Sequence, residues 1–585
     1  MSEERLKVLE MLAQGKITVA DAEQLLKTLR GAPAAAADEQ PEPARPKGRR
    51  PGERENLNEE MEDLQEEIQE RIAQARQTIR DSMPKVKQTI RDAMPEVDRM
   101  VRDAMDAIPD VGRIVRDAVQ TASQAVSGGA EPNGSDDARY PAQAEREVSE
   151  TLPARPGVRV ALRNPRGHVR VEIWDREELQ ADARIAVRAT HAGAAQAFAE
   201  QIRIETAGEP GVIRIQPIIP ERREDASSEI GPYRVDIHLH VPGKVDLDLR
   251  TAHGDIDIPQ IKGAAVLHNR HGKTTLAGAS GDVWLAQGHG PVNIGRAGAN
   301  LTLDVSHGNT EVETVGGTAS VQVRHGSLEL AEIAKGAKID ISHGKRLKLG
   351  HVGEDTVAKI GHTPAVLEHI DGNLTVNASH CPVSVNAVAG NAQAVNSHGP
   401  IEIGTVGRDL VVRNSFGPVH AGSVGGNAVA QNRHGPIGLD RVGGSATVEN
   451  SRGPITLGNV GGKVAVRADR GAIEIAAPAG EVVARADRSN LSVRPDTPVR
   501  SDYTLQCRRG NATVVLPDGS AVDVRGHVRA GRVRTDLPLD VSADARSGQS
   551  VSGRLNGGGA RITVEVDGGN LNLSRGPGSS PESRV

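Results

Sequence analysis

Along residues 251–505 apolar and polar residues alternate in short runs that return every eighteen residues. In "HGPIEIGTVG", Ile401 and Ile403 point one way and Glu402 the other. The same pair recurs as Ile437 and Leu439, Ile455 and Leu457, Ile473 and Ile475, with Gly438, Thr456 and Glu474 between them. A position that varies so freely between two apolar ones faces water. Nine residues on, a second run places Leu410 and Val412, Ala446 and Val448, or Val464 and Val466 inward. Period two specifies strands. Each copy is therefore two short strands and two turns, with glycine supplying positive φ where the chain reverses.

The residue before the turn glycine marks the register. It falls at His253, His271, His289, His307, His325 and His343, then at His362, His380, His398, Phe416, His434, Arg452, Arg470 and Arg488. The step is eighteen except for one extra residue after His343. A unit of two short strands cannot bury its own apolar face, but identical units stacked on one another can. The pattern predicts a mainly β chain: a parallel β-solenoid of about fourteen 18-residue coils, roughly 65–70 Å long at about 4.8 Å per coil. A set of β-sandwiches would vary in strand and turn length, and this repeat does not. A second column, Asn396, Asn414, Asn432 and Asn450 with Asn269 earlier, fits either an amide ladder along the axis or a residue chosen for its turn geometry.

The first third has a different period. Leu6, Leu9 and Leu12 form one helical stripe that stops at Gly15; Thr18 and Asp21 open a second helix carrying Ala22, Leu25, Leu26 and Leu29. From Ile68 to Ile108 the apolar positions repeat every eleven residues, which gives a nearly straight stripe that Pro84 and Pro95 kink. Its polar face mixes Arg with Asp, favouring self-association or docking over a lipid surface, with reversible membrane contact as the alternative.

At 585 residues the chain exceeds one compact domain. Two Phe, two Trp and three Tyr leave a core of small aliphatic side chains. A net charge of -6 and scarce aromatics argue against nucleic acid. Cys381 and Cys507 are too few and too far apart for a disulfide framework. The charged start "MSEERLKVLEMLAQGK" and the lack of any long apolar run lead to an expected cytoplasmic location, with a membrane-peripheral one as the alternative.

Ten of the nineteen histidines lie in the register column. They could hold metal, sense pH, or stack as flat turn residues. Phe416 and three arginines share the column, and a flat π face is what these side chains have in common, so stacking is favoured. "HLH" at His238 and His240 has chelate spacing, but a solvated or edge face is the favoured reading. "GGNAVAQNR" lacks the third Gly and the Asp of a calcium β-roll. The outward column through Asp257, Thr275, Asn293, Glu311, Ser384, Glu402, His420 and Thr456 holds no cluster of carboxylates for cleaving sugars. No catalytic, cofactor-binding or metal-binding residue is assigned.

"RLKVLEMLAQGKITVADAEQLLKTL" resembles the SHOCT-like N-terminal domain of LiaX/YvlB-type bacterial proteins. "RNPRGHVRVEIWDREEL", "VDIHLHVPGKVDLDLRTAHGDIDI" and "VSGRLNGGGARITVEVDGGNLNLS" are similar to the adhesin-like β-strand-repeat family that follows that domain. The resemblance implies a non-enzymatic bacterial β-solenoid, with some relatives tied to envelope stress, and transfers no site residue. The expected organisation is a SHOCT-like hairpin (1–30), a linker (31–56), an amphipathic helical segment (57–127) and a second linker (128–150). An N-terminal β region (151–250), the regular repeats (251–505), C-terminal β coils (506–575) and a tail (576–585) complete it. The expected function is a scaffold that binds a protein or envelope partner through a repetitive polar face, with self-association through the helices. A regulator of envelope stress is the alternative, and a carbohydrate-active β-helix enzyme is disfavoured.

Overall fold

The computed structural model describes residues 139–209, 211–221, 229–544 and 548–576. The chain divides into two units, 1–83 and 84–585. The first lies wholly outside the described residues, as do the expected helices 1–30 and 57–127, the linker 31–56 and the tail beyond Gly576.

The rest is a parallel β-solenoid of about fifteen coils. Each regular coil gives one strand to each of two facing sheets. In one sheet Ile401–Val406, Val419–Val424, Ile437–Val442 and Ile455–Val460 pair in parallel, and in the other Ala392–His398, Leu410–Phe416, Ala428–His434 and Ala446–Arg452 do so. In these strands every rung joins residues eighteen apart, as with Ile437 and Ile455 or Asn432 and Asn450. The proposed alternation holds: Ile437, Leu439, Ala446 and Val448 are about 1% exposed or less, while Glu402, Thr456 and Glu474 face solvent. A third inward position, Val406, Val424, Val442 and Val460, completes the core layer. Apart from Cys381 the apolar core of the repeats is aliphatic as far as Val499, and Tyr503 is the largest fully buried side chain among the described residues.

The turns explain the glycines. At Gly435 φ is 120°, and an added Cβ would stand 2.4 Å from the Gly417 carbonyl oxygen of the preceding coil. Thr363 and Cys381 take that place two coils running, and there the positive φ moves back one residue, to His362 (52°) and His380 (57°). Histidine tolerates this region better than most residues. The extra residue of the repeat is absorbed in the turn between His343 and Arg346, so Ser327 pairs with Arg346.

The ends depart from the repeat. At the N-terminal end Ala142–Pro153, Glu178–Ala189 and Ile230–Pro242 pair antiparallel, and Ile230–Pro242 then pairs in parallel with Val169–Trp174. The first of these strands begins inside the stretch expected to be a linker (128–150). The helix Ala192–Gln201 buries Ala195, Phe198 and Ala199 beside them. At the C-terminal end the coils do not stack in chain order. Ala560–Asp567 lies between Tyr503–Arg508 and Val522–Arg529, and Leu571–Arg575 lies between Ala512–Leu516 and Val533–Thr535.

Candidate functional site: an imidazole ridge and a histidine–carboxylate cluster

The register column becomes a ridge at one corner of the solenoid, because each strand that ends in His pairs in register with the next. From His253 to His325 successive rings lie 4.6–4.9 Å apart and within 18° of parallel. The pair His325–His343, beside the inserted residue, opens to 5.5 Å and 37°. Stacking resumes at His343–His362 (4.9 Å, 8°) and continues through Phe416 to His434. There Arg452 Nη1 reaches His434 Nε2 at 3.3 Å. The flat-stack reading of the column is what the geometry shows. Burial, then the neighbouring imidazole and nearby arginines, hold His253 and His271 below the usual histidine range.

The asparagine column is not an amide-to-amide ladder. Each Asn is buried, and its Nδ2 donates to turn carbonyls of two coils: Asn432 to Gly417 (2.8 Å) and Gly435 (3.2 Å), Asn450 to Gly435 (2.8 Å) and Gly453 (3.1 Å). The ladder exists at the opposite turn, in residues the sequence reading did not single out. Asp355 Oδ1 accepts from Asn373 Nδ2, and Asn373 Oδ1 accepts from Asn391 Nδ2. Asp409 and Asn427 repeat the contact at 3.1 Å.

His238 and His240 are not on an edge strand. Their strand, Ile230–Pro242, lies between Glu178–Ala189 and Val169–Trp174. Ile237 and Leu239 face the core, and the two imidazoles share the outer face, half-buried. Glu172 stands across from His240, and Asp182 across from His238. His238 Nε2 is 3.1 Å from Glu172 Oε2, and His240 presents Nδ1 to the same oxygen at 3.9 Å and Nε2 to Asp182 Oδ2 at 3.4 Å. Sequence reasoning found the histidines and missed both carboxylates, which only strand pairing brings near. A second group, His351, His369 and Asp371, is exposed; its two imidazoles reach separate oxygens of Asp371 at 3.1 and 3.0 Å.

The outward column also takes in Glu329 and Lys348, which the sequence reading passed over. Lys348 Nζ sits 3.1 Å from Glu329 and 3.6 Å from Glu368. Among the described residues no helix is long and apolar enough to cross a membrane.

The fold defines a two-sheet parallel β-solenoid. The sequence matches a family described as the SHOCT-like domain over residues 3–34. No curated protein matches the chain. Similar crystal structures include a "putative cell adhesion protein" from Clostridium sporogenes, at 8% identity over 74% of this chain and 100% of that one, TM-score 0.12, and a "putative adhesin" from Bacteroides fragilis, at 12% identity over 52% and 97%, TM-score 0.13. The strand ladders themselves define the fold.

Proposed function

We propose that the protein is a non-enzymatic scaffold that holds an extended partner against its repetitive polar surface, with the imidazole ridge as the contact line. The observation that supports this is the ridge itself: like rings recur at 4.4–4.9 Å over most of the rod. One weak contact repeated along a rigid line binds a repeating partner far more tightly than a single copy would. A protein or polymer of the bacterial envelope fits that geometry. The test is co-sedimentation of the full chain with isolated bacterial envelope fragments, beside a variant with His271, His289 and His307 changed to Ser. A tenfold loss of binding in the variant is expected. Equal binding by both proteins refutes the ridge as the contact line.

The SHOCT-like segment at 3–34 favours a second reading. In it the chain is a LiaX/YvlB-type regulator of envelope stress, tethered or self-associated through its N-terminal residues. Fractionation of native cells separates the two: recovery at the cell surface supports adhesion, and recovery in the cytoplasm or loosely on the membrane supports the regulator.

A further inference from the structure

We propose that Glu172, His238 and His240 bind one divalent transition cation of the zinc type, with Asp182 orienting the second imidazole. His238 and His240 alternate along one strand, so both rings project from the same face of the sheet. Glu172 comes from the parallel neighbour and Asp182 from the antiparallel one, so three strands meet at the site.

The separations suit a small cation. Donor atoms around tetrahedral zinc, with bonds of about 2.0–2.1 Å, stand roughly 3.3 Å apart. Glu172 Oε2 is 3.1 Å from His238 Nε2 and 3.9 Å from His240 Nδ1, and one donor atom from each residue lies within 4.8 Å of the others. The buried His238 Nε2 makes no hydrogen bond, although Glu172 Oε2 stands 3.1 Å away. A buried nitrogen without a partner is costly, and a cation would satisfy it. His240 turns its other nitrogen, Nε2, toward Asp182 Oδ2, and Gln180 Nε2 grips both oxygens of Asp182 at 2.9 and 3.0 Å. A carboxylate behind a histidine keeps the proton on the far nitrogen and leaves the near one as a ligand. Here that arrangement frees Nδ1 for the cation.

Trp174 stacks on His240 at 5.2 Å, and Arg176 covers Trp174 at 4.8 Å, which walls one side. Arg170, in register with His238, is exposed to solvent. Three protein ligands leave a fourth position for water. Imidazole and carboxylate donors without a thiolate suit zinc and its neighbours over copper(I) or an iron–sulfur cluster.

The ridge and the His351 group are competing imidazoles, so the experiment carries controls for both. Metal-stripped full-length protein is titrated with zinc against a chromophoric chelator, and separately with cobalt(II) while the visible spectrum is recorded. One tight equivalent is expected, with the intense absorption of low-coordinate cobalt. His240→Asn and Glu172→Gln should each weaken that equivalent at least tenfold, and Asp182→Asn should weaken it less. A His351→Asn/His369→Asn double variant and a His289→Ser/His307→Ser double variant should leave it unchanged. Zinc should also raise the melting temperature of the wild type and not of Glu172→Gln, a conservative change that keeps the side chain's shape. A tight equivalent that survives in a His238→Asn/His240→Asn double variant, or a wild type with no zinc affinity tighter than about 10 µM, overturns the proposal.

Discussion

The regular coils and the N-terminal end use the same residue types to opposite effect. Within the repeats each side chain has the equivalent residue of the next coil as its axial neighbour, so long stretches of polar column are ladders of one kind. Imidazole stacks on imidazole from His253 to His307, and amide follows amide from Asn373 to Asn391. Such columns support stacking, hydrogen-bond ladders and mutual repulsion. Where unlike donors do meet there, as at His351, His369 and Asp371, all three are exposed. At the N-terminal end, where Ile230–Pro242 pairs in parallel with one strand and antiparallel with another, residues from unrelated stretches come into register, and Glu172, Asp182 and two histidines meet on one face. Strict repetition makes long uniform columns, and the irregular end makes the half-buried cluster.

The comparison breaks most readily in the core. Ile437→Asp should lower stability by at least about 4 kcal/mol, because a buried unpaired charge is among the costliest single changes and each coil depends on its neighbours. Gly438→Ala, one residue away on the outward face with nothing nearer than His420 Nδ1 at 3.5 Å, should stay within about 0.5 kcal/mol. Chemical denaturation followed by circular dichroism measures both. Similar losses would mean the inward and outward positions are wrongly assigned.

The turn comes next. Gly435→Ala should cost about 2–3 kcal/mol, since the new Cβ combines a positive φ with a backbone clash. Asn432→Ala should cost about 1–3 kcal/mol by removing the donor to two turn carbonyls. Asn427→Ala, in the exposed amide ladder, should cost no more than about 1 kcal/mol. If Asn427 proves the costlier of the two, the stability of the stack comes from the solvent-facing ladder and not from the buried amides.

The smallest effect is that of pH. His253 and His271 are held below their usual range, first by burial and then by the next imidazole, and burial first, with Arg250 second, lowers His268 to about 4. The unfolded chain therefore binds protons more readily than the folded one. Stability is fully present above the unfolded pKa, near 6.5, and falls as the pH drops below it. Melting temperature should decline from pH 8 to pH 5, and His268→Asn should reduce that decline. A wild type equally stable at both pH values would show that burial does not disfavour the protonated forms of His253, His268 and His271.

Sequence carried the repeats almost completely. Ile437 and Leu439 show their direction by alternation alone, and a register of eighteen fixes which strand each one pairs with. The stacked ridge was legible for the same reason, because equal spacing implies equal position. The Asn column was found but its bonding was not: a residue at fixed spacing can bond its own kind or the turns above and below it, and the period is the same in both cases. The histidine–carboxylate cluster was half visible. Glu172 and Asp182 are 66 and 56 residues from His238 along the chain, and nothing periodic connects them. Antiparallel pairing and insertion out of chain order both depend on long-range contacts, which leave no local signature.

The rearranged C-terminal end has a consequence for how the molecule is made. Residues 560–575 are synthesised after 522–535, yet they fill the layer beneath them. A growing chain reaches residue 544 with that layer still vacant. Until the later residues arrive, the edges of Tyr503–Arg508 and Ala512–Leu516 are bare rows of backbone donors and acceptors, a template that a second nascent chain can read. The rod closes like an arch whose keystone is set last, and the interval before it is set is when two neighbouring chains are most prone to become entangled.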